Sequence, residues 1–215
     1  SAAGLLPLLD AALADTAWRG SRIDVVLSQH FVRHVLTSPP RKAISQAEER
    51  ALVAAALRNI YGDEASAWQI EVHSQPPQYG LLGAAVNADF TQQLDALLAR
   101  HGFRDVTIRP LASAAAKRLP AKLDGWWALI ETGWLSLFNA HRGIWQSVAA
   151  QPIDAEWRMQ LSELIARECV GDALPTVWVQ GFGVGTLATP ESEDARWQIL
   201  PHDNSVRGAL ALVAA

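Results

Sequence analysis

The groups best placed to do chemistry lie in one run, residues 126–148, "WWALIETGWLSLFNAHRGIWQSV". Glu131, Thr132 and Gly133 stand between two strand patterns, and an acidic residue with a glycine at a strand end is a place where backbone amides often grip phosphate. Trp134 follows at once, and an indole there would stand in the ligand's way. A second glycine-bearing stretch, "GFGVG" at 181–185, follows the strand pattern "TVWVQ" as a dinucleotide fingerprint would. That fingerprint needs a helix N-terminus to hold pyrophosphate. Here the next residues are "TLATPESEDA", a polar link, which argues against a Rossmann site.

Other constellations are weaker. In "HFVRH", His30 and His34 on one strand would be about 13 Å apart, too far to share a metal ion. His73, His101, His141 and His202 are scattered over element ends and turns, without an acid or cysteine at ligand spacing. No Gly-x-Ser-x-Gly elbow is present, and Ser28, Ser136 and Ser147 fall in strand patterns, so a hydrolase triad has no nucleophile. Glu48 and Glu49 suit the first turn of a helix, and Glu191, Glu193 and Asp194 a solvated loop. Cys169, the one cysteine, excludes an intramolecular disulfide and a cysteine-rich metal cage. It reads as a small buried hydrophobe, in a chain suited to a reducing compartment.

The elements that must position these residues follow from periodicity. Residues 22–28 and 31–37 read as two strands joined by a tight connection. "SQAEERALVAAALRNIYG" reads as a helix, with Ser45 and Glu48 as a capping box, Leu52, Val53, Ala56, Leu57 and Ile60 on one face, and Gly62 at its end. Strands at 68–73 and 79–86 flank Pro76-Pro77, a helix runs from Ala88 to Gly102, "DVTIRP" reads as a buried strand, and an Ala-rich helix covers 111–118. "LPAKLDG" is a polar break between lobes. Then come three strands turning at Gly133 and at 140–143, and a helix capped by Asp154 with Trp157, Leu161, Leu164 and Ile165 on its apolar face. Strands at 176–180 and 196–200 and a helix from about Ser205 close the chain. The orders are αββαββαβα and βββαβ(loop)βα, an α/β architecture with a cleft between two lobes.

Composition narrows the class. A chain of 215 residues with 50% hydrophobic content buries a real core. Its 18 basic against 22 acidic residues give no footprint for nucleic acid or an anionic membrane. No apolar run reaches the roughly 18 residues that span a bilayer, and "SAAGLLPLLDAALAD" lacks the basic start of a signal peptide. The abrupt start in a helical pattern and the end at "GALALVAA" suggest an excised fragment. Of nine Trp, Trp126, Trp127, Trp134 and Trp145 fall in one three-stranded sheet, as a core or as an exposed patch that anchors a peptide.

The quoted stretches resemble the actin-like (ribonuclease-H-like) ATPase fold, and more narrowly the PilM proteins of type IV pilus assembly and the cytoplasmic part of GspL of type II secretion. "ALIETGWLSLFNAHRGIWQSV" is similar to the family's second phosphate hairpin. "LLGAAVNADFTQQLDALLARHGFRDVTIRPLASAAAKRL" is similar to the segment before it, "TVWVQGFGVG" to the strand and turn beside adenosine, and "RGALALVAA" to the closing helix. The resemblance implies a first lobe over 1–120, incomplete because the opening phosphate hairpin is absent, and a second over 121–215. It places Glu131 where the family has Asp, keeps Gly133, and puts Trp134 where a small residue admits phosphate. In the adenosine turn Gly181 and Gly183 are kept and Phe182 adds bulk. These departures favour a lost nucleotide site, with no cofactor, no metal and no catalytic residue. The implied function is a scaffold at a bacterial inner-membrane assembly platform, cytoplasmic and attached through partners. One such partner is the short cytoplasmic N-terminal segment of a membrane protein, in a groove of the first lobe, and a homodimer is among the assemblies this allows. The alternative is an ATP/ADP-binding switch completed by upstream residues.

Overall fold

The computed structural model describes residues 2–14, 22–169, 174–184, 187 and 195–200. The expected terminal helix, together with Gly185, Glu191, Glu193, Asp194 and His202, lies outside them. The first half runs α1 (Ala2–Leu13), β1 (Arg22–Leu27), β2 (Arg33–Leu36), α2 (Gln46–Tyr61), β3 (Trp68–His73), β4 (Leu82–Asn87), α3 (Ala88–Arg100), β5 (Asp105–Pro110) and α4 (Leu111–Ala115). The second half runs β6 (Gly125–Glu131), β7 (Trp134–His141), β8 (Ile144–Pro152), α5 (Trp157–Glu168), β9 (Thr176–Phe182) and β10 (Arg196–Ile199). Both expected orders hold over the described residues.

β1 and β2 belong to different sheets, which their closeness in sequence did not indicate. β1 pairs in parallel with β5, whereas β2 pairs antiparallel with β4, whose other neighbour is β3. The chain steps between sheets through a compact turn in which Phe31 N donates to Ser28 O (3.0 Å) and Val32 N to Gln29 O (3.3 Å). His30 and Ser28 lie in this turn and not in strands. The expected buried strand, β5, alternates between half-buried and exposed residues until its last turn of chain. One face of the two-stranded pair packs on α1 and α3 through Ile23, Val25, Val106 and Ile108, and its other face carries Asp24 and Arg109.

α2 begins as expected: Ser45 Oγ accepts from Glu48 N, and the Glu48 carboxylate accepts from Ser45 N at 2.8 Å. Val53 and Leu57 are fully buried on the small sheet with Val35 and Ala85. Leu52 and Ile60 are 40% and 61% exposed. A helix touches a three-stranded sheet along a narrow line, so residues at the flanks of its apolar stripe stay in water.

In the second half the strand order is β10-β9-β6-β7-β8, antiparallel across β6, β7 and β8 and parallel across β6, β9 and β10. β6 is covered on both faces, which is why "WWALIE" is apolar without alternation. Trp126, Ala128 and Ile130 face α5, and Trp127 and Leu129 face α4. Trp127 stacks on Phe138 at 5.0 Å and lies 6.1 Å from Trp145, so three of the aromatic side chains of this sheet form a cross-strand core. α5 starts later than expected. Its N-cap is Glu156, and Asp154 Oδ1 instead accepts from Glu156 N at 2.8 Å. Among the described residues no helix is long and apolar enough to cross a membrane.

Gly83 shows how tightly α2 seats. A Cβ there would lie 2.2 Å from Val53 Cγ1. Gly83→Ala is therefore expected to cost about 1–3 kcal/mol through forced displacement of the helix, read as a lowered urea midpoint. An unchanged midpoint would mean that α2 shifts freely.

Candidate functional site

β6 and β7 are joined by the two-residue turn Thr132-Gly133, with Gly133 at φ +76°, where glycine is at ease. The pleat decides where the flanking side chains go. Glu131 pairs with Trp134 on one side and Phe182 on the other, so these three share the sheet face that carries Leu129 and Phe138. That face looks toward the first half of the chain. The Glu131 carboxylate, in a residue 9% exposed, accepts from Gln29 N at 2.7 Å and from the Ser28 hydroxyl. Burial raises its pKa above the ordinary carboxyl value, against the opposing pull of Ser28, Gln29 and His30.

The rest of the seam is built on the same turn, 28–33. His30 Nε2 lies 2.9 Å from the Thr132 carbonyl and donates to it, and its ring sits 5.6 Å from that of Trp134. The Arg33 guanidinium lies over the Trp134 ring at 5.2 Å and donates to the carbonyls of His30 and Val32 at 3.1 and 3.2 Å. His34 meets Phe138 edge-on at 5.3 Å, and its Nε2 donates to Gln29 Oε1 at 2.9 Å. Farther along, the Gln75 amide pairs with the backbone of Trp145, accepting at 2.7 Å and donating at 3.1 Å. The seam also holds polar atoms that find no partner among the described residues: Gln29 Nε2, Trp134 Nε1, Ser136 Oγ and the Gln180 amide. Ser136 and Gln180 flank Leu129 in one row across the sheet.

At the other side of the turn lies an open hollow of about 530 Å³, walled by Glu131–Gly133, Ile153–Ala155, Trp157 and Gly183–Val184. The expected site residues meet here only in part. Glu131, Gly133 and Gly183 border the hollow, whereas Trp134 faces His30 and Arg33 across the seam instead of the hollow. Phe182 packs on the opposite side, against the cluster of Leu129 and Phe138. Gly181 and Phe182 are the last residues of β9 and not part of a loop. At Gly181 a Cβ would stand 2.6 Å from Val184 Cγ2, so this glycine makes room for packing. Thr132 Oγ1 donates to Gly183 O at 2.9 Å, tying the turn to the end of β9. No signal in the sequence marked Ser28, Gln29 and Arg33 as neighbours of this hairpin, because they meet it from about a hundred residues away.

The first half holds a second concavity, a groove of about 280 Å³. Leu6, Phe31, Val86 and Phe90 give it an apolar floor, and Asn87, Asp89 and Gln93 a polar rim. Phe31 and Phe90 stack at 5.1 Å. Leu6 is held there by α1, whose Asp10 pairs with His101 at 2.6 Å and Arg100 at 2.9 Å.

An antiparallel three-strand meander extended by two parallel strands, helix-covered on both faces and joined at its strand ends to a second α/β lobe, is the actin-like architecture. Among solved structures the chain is similar to the cytoplasmic domain of EpsL, an inner-membrane component of the type II secretion system of Vibrio cholerae. The identity is 14%, over 92% of this chain and 75% of that one, with a TM-score of 0.61. The likeness to the PilM–PilN type IV pilus biogenesis complex has 12% identity, the same 92% of this chain, 74% of the other and a TM-score of 0.65. A protein of unknown function with an actin-like ATPase fold from Bacteroides thetaiotaomicron aligns over 85% of this chain and 68% of that one, at 7% identity and a TM-score of 0.53. No protein-family model and no curated protein matches the chain. At such identities the likeness speaks for the fold, and it bears out the resemblance drawn from the sequence.

Two seam residues titrate in opposite senses. Burial lowers the His34 pKa from 6.5 to about 4, so the stability tied to its neutral form is present above pH 6.5 and is lost as pH falls toward 4. Glu131, with a raised pKa, contributes stability that is present below its ordinary value of 4.5 and lost as pH rises through its value in the fold. Replacing His34 by Phe is expected to remove about 2 kcal/mol of the loss between roughly pH 7 and pH 4.5, seen as convergence of the urea midpoints at the two pH values. An unaltered pH slope in the variant would place the acid sensitivity elsewhere.

Proposed function

We propose that this chain is a non-catalytic actin-like scaffold that holds partner proteins at a bacterial type IV pilus or type II secretion inner-membrane platform, and that it works without nucleotide. The observation that carries this reading is how the residues of the phosphate-type turn are used. The Glu131 carboxylate is committed to Ser28 and Gln29, the Thr132 hydroxyl to Gly183, and the Gly133 carbonyl to Ile153 N. A triphosphate in the hollow would meet the acidic side chain of Asp154 and no lysine or arginine among the described residues that line it, while the Glu131 carboxylate is turned into the seam. Ahead of α5, two backbone amides are already committed, Glu156 N to Asp154 Oδ1 and Asp154 N to Gln160 Oε1. The donor set does not suit ATP with its metal.

In this proposal residues 1–120 form one lobe and 121–215 the other, the second lobe bracing the first. The partner is the short cytoplasmic N-terminal segment of a membrane-anchored assembly protein, which lays apolar side chains on Leu6, Phe31 and Phe90 with its backbone along the polar rim. The similarity to a PilM–PilN complex and to an inner-membrane component of a secretion system supports this class of partner. The protein would then sit in the cytoplasm, at the membrane through its partner. The hollow's volume of about 530 Å³ favours one second reading, a nucleotide-binding switch.

Two measurements separate these readings. Calorimetric titration with Mg-ATP and Mg-ADP is expected to give no heat of binding at millimolar nucleotide, and micromolar binding would establish the switch instead. A photo-crosslinking residue at Gln93, used in the source cells, is expected to capture the N-terminal segment of a membrane protein. Loss of that crosslink on Phe31→Ala would tie the capture to the groove, and capture indifferent to Phe31→Ala would count against it.

A further inference from the structure

We infer that the turn Ser28–Arg33 couples the first-lobe groove to the seam between the lobes, so that filling the groove loosens the Glu131 clasp; the inference rests on the groove being a binding site. The turn presents two working faces. Phe31 lies in the groove, stacked on Phe90. His30 and Gln29, one and two positions before it, hold the second lobe through the Thr132 carbonyl and Glu131.

The turn is tied together internally. It is closed by its own backbone bonds from Phe31 and Val32, and the Arg33 guanidinium spans the carbonyls of His30 and Val32. A side chain seated against Phe31 that shifts its backbone therefore shifts His30 and Gln29 N, one and two positions away. The direction of the coupling follows from the seam's unpartnered atoms. Gln29 Nε2 and Trp134 Nε1 are buried without a partner among the described residues. Opening gives both of them water, whereas further tightening gives them nothing. The seam thus has a second arrangement within reach, and an occupant that favours it biases the pair of lobes. Linkage makes the effect reciprocal: a weakened clasp must also alter the groove.

The test needs no knowledge of the partner. In a Cys169→Ala background, Gln93→Cys is labelled with benzyl methanethiosulfonate, an apolar group able to lie in the groove, or with the methyl reagent as a small control. The protein carries 5-fluorotryptophan in one sample and 4-fluorophenylalanine in another, and the Trp134 and Phe31 fluorine signals are assigned from Trp134→Phe and Phe31→Leu. The benzyl label is expected to move both signals, Trp134 toward its position in Glu131→Ala, and Glu131→Ala alone is expected to move Phe31. A Phe31 signal that moves under the benzyl label while Trp134 stays overturns the coupling. So does a Glu131→Ala protein in which Trp134 moves and Phe31 stays. Either outcome leaves the groove as a binding site untouched, and a failed crosslink at Gln93 bears on the groove alone.

Discussion

A carboxylate taken out of water must find donors, and Glu131 finds them on a turn about a hundred residues earlier in the chain. Its acceptor oxygens are met by Gln29 N and the Ser28 hydroxyl. Without those donors a buried charge at the end of β6 would be strongly unfavourable. With them, the end of the central strand of one lobe is joined to the step between two sheets of the other. Nearby cross-lobe contacts, from His30 to Thr132 and from Arg33 and His30 to Trp134, surround this pair, and His34 on Phe138 and Gln75 on Trp145 extend the seam. In this fold that region lies between the two halves of the chain, and protein groups meet one another across it.

The two concavities differ in chemistry. The hollow beside Gly133 has acids at its border and hydroxyl and carbonyl groups already committed to one another. The groove beside Phe31 is apolar with a polar rim, the combination that suits an extended peptide. One turn touches the groove with Phe31 and the seam with Gln29 and His30.

The order of elements was readable because each has strong local signals. Ser45 and Glu48 mark the start of α2, and the apolar face of Trp157, Leu161, Leu164 and Ile165 marks α5. Which sheet each strand joined was not readable, since β1 and β2 have similar local patterns and differ only in distant partners. The same limit applied to the site. Glu131, Gly133 and Trp134 stood out by residue type, yet the face to which Trp134 turns depends on the pleat of β7 and on what covers it. Gly181 reads in the sequence as a kept glycine of a degenerate adenosine turn, and in the fold it makes room for Val184, a contact set by the chain that follows β9.

The most direct test of the account is the hydrogen-exchange rate of the Gln29 amide, measured by NMR in the parent protein and in Glu131→Ala. If the Glu131 clasp joins the lobes, this amide exchanges as slowly as core amides of β6 and β7 in the parent, and is released in the variant while those strands stay protected. Rapid exchange of Gln29 in the parent protein would contradict the account, since the lobes would then be held by something other than this carboxylate.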